Sequence, residues 1–181
     1  MPNPTRDTTA GRIYNDLRNL ARRTGRSTDE AMIEYVLERF LYRVSLSPSG
    51  GRHFVLKGGL LLAQFGARRM TRDIDILGCA FRNDEAEIMQ RIATIAATEV
   101  DDGVEFDPGT LKTVPIRVDE KYNGLRLTMT AAIARARLKL QLDVSFGDPV
   151  TPNPQTRTSS PTSCRSSRPS RILSSSVMRQ S

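Results

Sequence analysis

The sequence has no tryptophan, one histidine (His53) and two cysteines (Cys79 and Cys164) in 181 residues. Two cysteines so far apart make neither a disulfide framework nor a zinc site. One histidine excludes a His-rich metal cluster and any acid–base mechanism built on two of them. No run of ~18 apolar residues occurs, so no segment reads as a membrane-spanning helix. The N-terminal MPNPTRDTTAGR lacks the apolar stretch of a signal peptide. These absences predict a soluble, cytoplasmic protein without a membrane partner. A chain of this length buries a core without a disulfide or metal staple.

Charge is present but unevenly placed. The formal net charge is +7, from 27 Lys and Arg against 20 Asp and Glu. Five of those arginines lie in 151–181, which has no acid, so 1–150 is close to balanced. The basic average is therefore mostly a property of the tail. That tail holds ten serines and four prolines and has almost no apolar periodicity. It reads as disordered, as do residues 1–9. The folded domain is predicted over 10–150, with a helical pair at 10–45 and a sheet core at 52–150.

The first helix is expected to begin near Ala10, with Ile13, Leu17, Leu20 and Ala21 on one face. Ser27-Thr28-Asp29-Glu30 is a capping box that opens a second helix running to about Val44. Met32, Val36, Phe40 and Val44 form its apolar stripe. Then the period changes. His53 to Leu56 reads as a buried strand broken by Gly58-Gly59. Leu60 to Phe65 reads as a short helix, and Asp73 to Leu77 as an alternating strand. Asn83 is expected to cap a third helix over about 84–99. Strands are predicted at Val104–Phe106, Val114–Val118 and Leu125–Thr130, with Asn123-Gly124 as the hairpin turn between the last two. Leu138, Leu140, Leu142 and Val144 alternate with polar residues and mark a half-buried strand.

The chemistry concentrates around Leu56-Lys57-Gly58-Gly59 and, after thirteen residues, Asp73-Ile74-Asp75-Ile76. Asp73 and Asp75 are two apart on a strand, so both carboxylates face one way. Two carboxylates on one face can share divalent cations, and magnesium needs few protein oxygens. The double glycine lets a phosphate approach the backbone, and the following helix offers N–H groups to it. Asp143 lies on the polar face of a later strand. If that strand neighbours the Asp73–Asp75 strand, a third carboxylate completes a two-metal site. Taken singly, Asp-Ile-Asp is an ordinary solvated strand face and Gly-Gly an ordinary turn. Their combination in this order gives them weight.

Those segments resemble the DNA polymerase β-type nucleotidyltransferases, and more closely the AbiEii/AbiGii toxin family with its mycobacterial MenT branch. FVLKGGLLLAQFGARRMTRDIDILG, DDGVEFDPGTL, YNGLRLTMTA and LQLDVSFGDPVTPNP carry the resemblance, which covers roughly 15–155. It implies a minimal α/β (α+β) nucleotidyltransferase core, a small mixed sheet flanked by helices with an N-terminal helical pair. It implies a toxin, paired with a cognate antitoxin, that moves a nucleotide from an NTP to RNA. In the MenT type the donor is a pyrimidine nucleotide and the acceptor the tRNA 3′ end.

By the same resemblance, Gly58 and Gly59 cradle the triphosphate. Asp73, Asp75 and Asp143 hold two magnesium ions, with manganese as the alternative. Asp143 lies nearest the attacking hydroxyl. Lys57 and Arg72 reach phosphate, and Arg69 touches phosphate or RNA backbone. Relatives continue into a helical half that supplies a lysine and a further acid. Here the Ser/Arg-rich stretch stands in its place, and it reads as a truncated or frameshifted C-terminus.

Lys139 shares the parity of Asp143 and reads as a nucleotide-binding residue or its salt-bridge partner. Arg22 and Arg23 belong to an arginine cluster that either grips RNA or forms a solvated helix face. His53 reads as a packing residue and Cys79 as a small buried one. Two alternatives stay open. One is a catalytically weakened remnant that binds nucleotide or antitoxin without turnover. The other is transfer of the nucleotide or phosphate to a protein hydroxyl.

Overall fold

The computed structural model describes residues 4–48, 50–57, 72–79, 84–118, 122–146, 155–159 and 170–174. Helix α1 spans Thr9–Thr24. Thr8 caps it by accepting from the Gly11 N–H, and Gly25 closes it at φ 67°, a conformation glycine adopts without strain. The residues just before α1 are held, not frayed as expected. Asn15 Nδ2 donates to the Pro4 carbonyl at 2.9 Å, and Arg6 pairs with Asp16 at 2.8 Å.

Helix α2 spans Thr28–Leu46 and opens with the predicted capping box. Ser27 Oγ accepts from the Glu30 N–H at 3.1 Å, and Glu30 Oε2 accepts from the Ser27 N–H at 3.4 Å. Ser27→Ala is expected to cost about 1 kcal/mol. A urea titration reads this as a lower midpoint at unchanged slope.

Helix α3 is one turn, Gly50–His53, so the strand opens at Phe54 and not at His53. His53 still joins the ladder edge: its carbonyl accepts from the Cys79 N–H at 2.8 Å. Helix α4 spans Glu85–Ala96 and is capped by Asp84, one residue later than expected and ending sooner. The Asp84 carboxylate accepts from the Glu87 N–H at 2.8 Å. The expected helix at Leu60–Phe65 lies outside the described residues.

The strands are β1 Phe54–Lys57, β2 Ile74–Gly78, β3 Glu105–Val118, β4 Tyr122–Ile133, β5 Ala136–Phe146, β6 Gln155–Ser159 and β7 Ser170–Ser174. They form one sheet in the order β3-β4-β5-β2-β1-β7-β6. The β2–β5 and β1–β7 pairs are parallel and the others antiparallel, so the sheet is mixed and the fold α+β, as expected. β6 and β7 fall in the stretch expected to lack order.

Two further expectations are corrected. The strands read at 104–106 and 114–118 are one strand, β3, whose register shifts between Asp107 and Lys112. The irregularity takes up Pro108, which has no N–H to give a ladder. Asn123-Gly124 is not the hairpin turn, because Val118 already pairs with Tyr122. Gly124 lies inside β4, where a Cβ would come 3.1 Å from the Val144 carbonyl oxygen. The glycine serves close strand approach instead of a turn.

One face of the sheet is apolar. Leu127, Met129, Leu140, Leu142 and Val144 pack there with Ile13 and Leu17 of α1, Phe40 of α2 and Ile88, Ile92 and Ile95 of α4. The helices therefore cover this face, and the alternate residues point to the other.

A buried ion pair pins α2 to the start of β3. Arg43 and Asp102 are 2% exposed each. Arg43 Nη1 donates to Asp102 Oδ2 at 2.7 Å, and Nη2 to Oδ1 at 3.1 Å. The remaining guanidinium N–H groups reach the carbonyls of Thr98, Arg39 and Val104. All five donors of the fork are thereby matched. The Arg43 guanidinium also stacks 4.8 Å from the Phe106 ring centroid.

Candidate functional site

The polar face of the sheet brings the sequence-predicted acids together. β1 pairs with β2 so that Lys57 lies opposite Asp75. β2 pairs with β5 so that Asp75 lies opposite Asp143. β5 pairs with β4 so that Asp143 lies opposite Arg126. Lys57, Asp75, Asp143 and Arg126 thus form one row across four adjacent strands, each strand ~4.8 Å from the next. Ile74 and Ile76 flank Asp75, and Leu142 and Val144 flank Asp143; all four are buried. A one-residue slip of either strand would turn its carboxylate into the core, so apolar burial fixes the register of the acids. Asp73, half-buried, precedes β2 by one residue.

Arg126 is the residue sequence reasoning missed. Its Nε donates to Asp143 Oδ1 at 2.8 Å and its Nη2 to Oδ2 at 2.6 Å. This is a bidentate fork, the strongest geometry available to an arginine and a carboxylate. The hydrogen bond to Asp143 raises the Arg126 pKa further above its ordinary value, and the charge of Asp143 adds to it. Smaller contributions come from Asp73 and Asp75. Arg126 is thus the counter-ion of the acid set. Lys57 supplies a second cation. Its Nζ donates to Ser145 Oγ at 3.0 Å, reaching across β2 to the residue two beyond Asp143.

Other candidates fall elsewhere. Arg72 is exposed beside Asp73, and Lys139 is exposed on the Asp143 face of β5. Arg22 and Arg23 are exposed on the last turn of α1, whose buried face packs on the apolar side of the sheet. They are not brought to the acids. Gly58, Gly59 and Arg69 lie outside the described residues. Cys79 is partly buried just after β2, and burial pushes its thiol pKa up, which suits packing and not nucleophilic work.

A family model described as "Nucleotidyl transferase AbiEii toxin, Type IV TA system" matches residues 39–170. The chain belongs to this family. The match takes in the whole Lys57–Asp75–Asp143–Arg126 row and leaves α1 outside. A search of curated proteins finds no match. Among solved structures, the crystal structure of JHP933 from Helicobacter pylori is similar, with a TM-score of 0.49 and 14% identity. The similarity covers 83% of this chain and 53% of that one, so the chain spans about half the length of that protein.

An AbiEii nucleotidyltransferase implies a divalent cation, and the donor set can be tested for fit. Asp73, Asp75 and Asp143 are hard oxygen donors of the kind magnesium takes. Among the described residues, no three His, Cys, Asp or Glu side chains are grouped to hold a metal ion. Both oxygens of Asp143 accept from Arg126. A guanidinium already stands in for a cation at the third acid. The donors fit a divalent ion in charge and type, provided Asp143 exchanges its partner. No helix among the described residues is long and apolar enough to cross a membrane.

Proposed function

We propose that this AbiEii-family chain transfers a nucleotidyl group from an NTP, preferably a pyrimidine nucleotide, to the 3′ end of tRNA. It acts as the toxin of a pair and is controlled by a cognate antitoxin. The observation that carries the reading is the row of Lys57, Asp75, Asp143 and Arg126 across four strands. Two acids and two cations on one sheet face suit phosphoryl transfer, where positioning and charge do most of the work.

In this reading Asp73 and Asp75 hold the divalent cation, magnesium or manganese, with Asp143 as the third carboxylate. When bound, such ions neutralise the triphosphate and lower the pKa of the attacking hydroxyl. Asp143 orients that hydroxyl. The new bond joins its oxygen to the α-phosphorus, the α–β phosphoanhydride breaks, and pyrophosphate leaves. Lys57 and a released Arg126 offset the charge that develops on the phosphates. Gly58, Gly59 and Arg72 bind the triphosphate beside Lys57.

The test is incubation with bulk tRNA, magnesium and each α-labelled NTP, beside Asp75→Ala. Label on RNA from the wild type alone is the expected result. Label that tracks with protein and resists RNase would move the acceptor to a protein hydroxyl. NTP binding with no label anywhere would make the chain a binding module.

Arg126→Ala provides a second, independent readout. Cation binding in the wild type has to displace a bidentate guanidinium from Asp143. Without that competitor, divalent-ion affinity is expected to rise roughly tenfold, about 1.4 kcal/mol. Calorimetric titration with Mn2+ reads the change without turnover. An unchanged affinity would show that Arg126 does not compete for Asp143.

A further inference from the structure

We propose that a groove on the same sheet face, beyond the acid row, holds the phosphate backbone of the acceptor RNA. The inference rests on the reading of the chain as an RNA-directed transferase. The groove has a volume of about 720 Å³ and lies over β3, β4 and β5. It opens where the β3 register shifts between Asp107 and Lys112. Lys112, Arg137 and Lys139 line it, with the hydroxyls of Thr128 and Thr130 on its floor strand, and no carboxylate is among its lining residues.

Two acids stand nearby. Asp107 is in the row of Thr130 and Lys139, and its Oδ1 accepts from the Gly109 N–H at 3.1 Å. Glu105 is in the row of Ala132 and Arg137, at the far edge of the sheet. Among the described residues, no ion pair involves Lys112, Arg137 or Lys139. Three cations line the groove while the two acids lie outside its lining on the edge strand, so the groove itself presents positive potential that favours a polyanion.

Position decides between the two polyanions of the reaction. Lys57 lies on the β1 side of the acids, opposite Asp75, and this cation assigns that side to the triphosphate. The groove lies on the opposite, β4–β3 side. Lys139 is four residues from Asp143 on the same strand and face, roughly 13 Å away. An RNA whose 3′ hydroxyl reaches Asp143 lays its preceding phosphates along this groove.

The experiment compares the full chain with Lys112→Ala/Arg137→Ala, measuring anisotropy of labelled tRNA across a salt series. Two phosphate contacts on a single strand contribute about 1.4 to the slope of log K against log salt. The double variant is expected to lose that much slope and roughly tenfold in affinity. Magnesium-NTP binding should not change, and Lys112→Arg/Arg137→Lys should bind tRNA as the wild type does. Lys112→Gln alone should lose half the slope change, which keeps the test open if the double variant fails to fold.

Unaltered slope and affinity in the alanine variant would overturn the groove. Equal loss of NTP binding would also overturn it, by giving these cations to the triphosphate. Groove-dependent tRNA binding without nucleotidyl transfer would uphold the groove and remove the transferase reading. Transfer to RNA with groove-independent binding would do the reverse.

Discussion

Arg43→Ala is expected to destabilise the fold by about 3–5 kcal/mol, the cost of leaving a buried charge without its partner. Asp102 is fully enclosed, and both of its oxygens accept from Arg43. The substitution removes those two bonds and also strips the carbonyls of Thr98, Arg39 and Val104 of a donor. It deletes the guanidinium stacked on Phe106, which itself packs edge-on against Phe40. Domains of this size hold only about 5–15 kcal/mol in total, so the loss takes a large share. Urea unfolding measures it. Asp102→Ala should cost a similar amount, and the double variant less than the two together, since no unpaired charge then remains. A loss under ~1 kcal/mol would mean that water reaches the pair.

Asp75→Ala is expected to lower nucleotidyl transfer at least about a thousandfold, roughly 4 kcal/mol of transition-state stabilisation. Asp75 occupies the middle of the row, between Lys57 and Asp143. It is half-buried on the polar face, and its buried neighbours Ile74 and Ile76 hold β2 in place without it. Stability should therefore change little while turnover collapses. The fall should appear in kcat and in kcat/KM alike, because in the proposed reaction the carboxylate acts on charge that develops during transfer. Asp75→Asn should be nearly as poor, since it keeps the shape and loses the charge. A variant that only raises KM would reassign Asp75 to substrate binding.

Much of this arrangement was legible in the sequence, for identifiable reasons. Asp73, Asp75 and Asp143 stood out because each lies among alternating apolar residues, and alternation reports a sheet face directly. The capping box at Ser27 and Glu30 is a local hydrogen-bond pattern and was readable for that reason. Arg126 was not, although it too alternates with buried residues, Leu125 and Leu127. One arginine on a strand looks like any solvated position until pairing sets it opposite Asp143. The Arg43–Asp102 pair was hidden likewise. Arg43 sits four residues after Arg39 in a largely apolar helix and Asp102 in an Asp-Asp-Gly turn, and only packing brings them together. Asn123-Gly124 misled because a turn signal and a close-approach glycine have the same letters.

The parallel pairing of β2 with β5 has a consequence for the order in which the protein becomes competent. Between these strands the chain must lay down α4 and the entire β3–β4 hairpin. Such a non-local pairing forms slowly, after the local elements have collapsed. During synthesis, at ~5–20 residues per second, the nascent chain exposes Lys57, Asp73 and Asp75 well before Arg126 and Asp143 exist. The acid row is therefore complete only when β5 has emerged and docked between its neighbours. Any chemistry that needs all three carboxylates is silent on the ribosome until then.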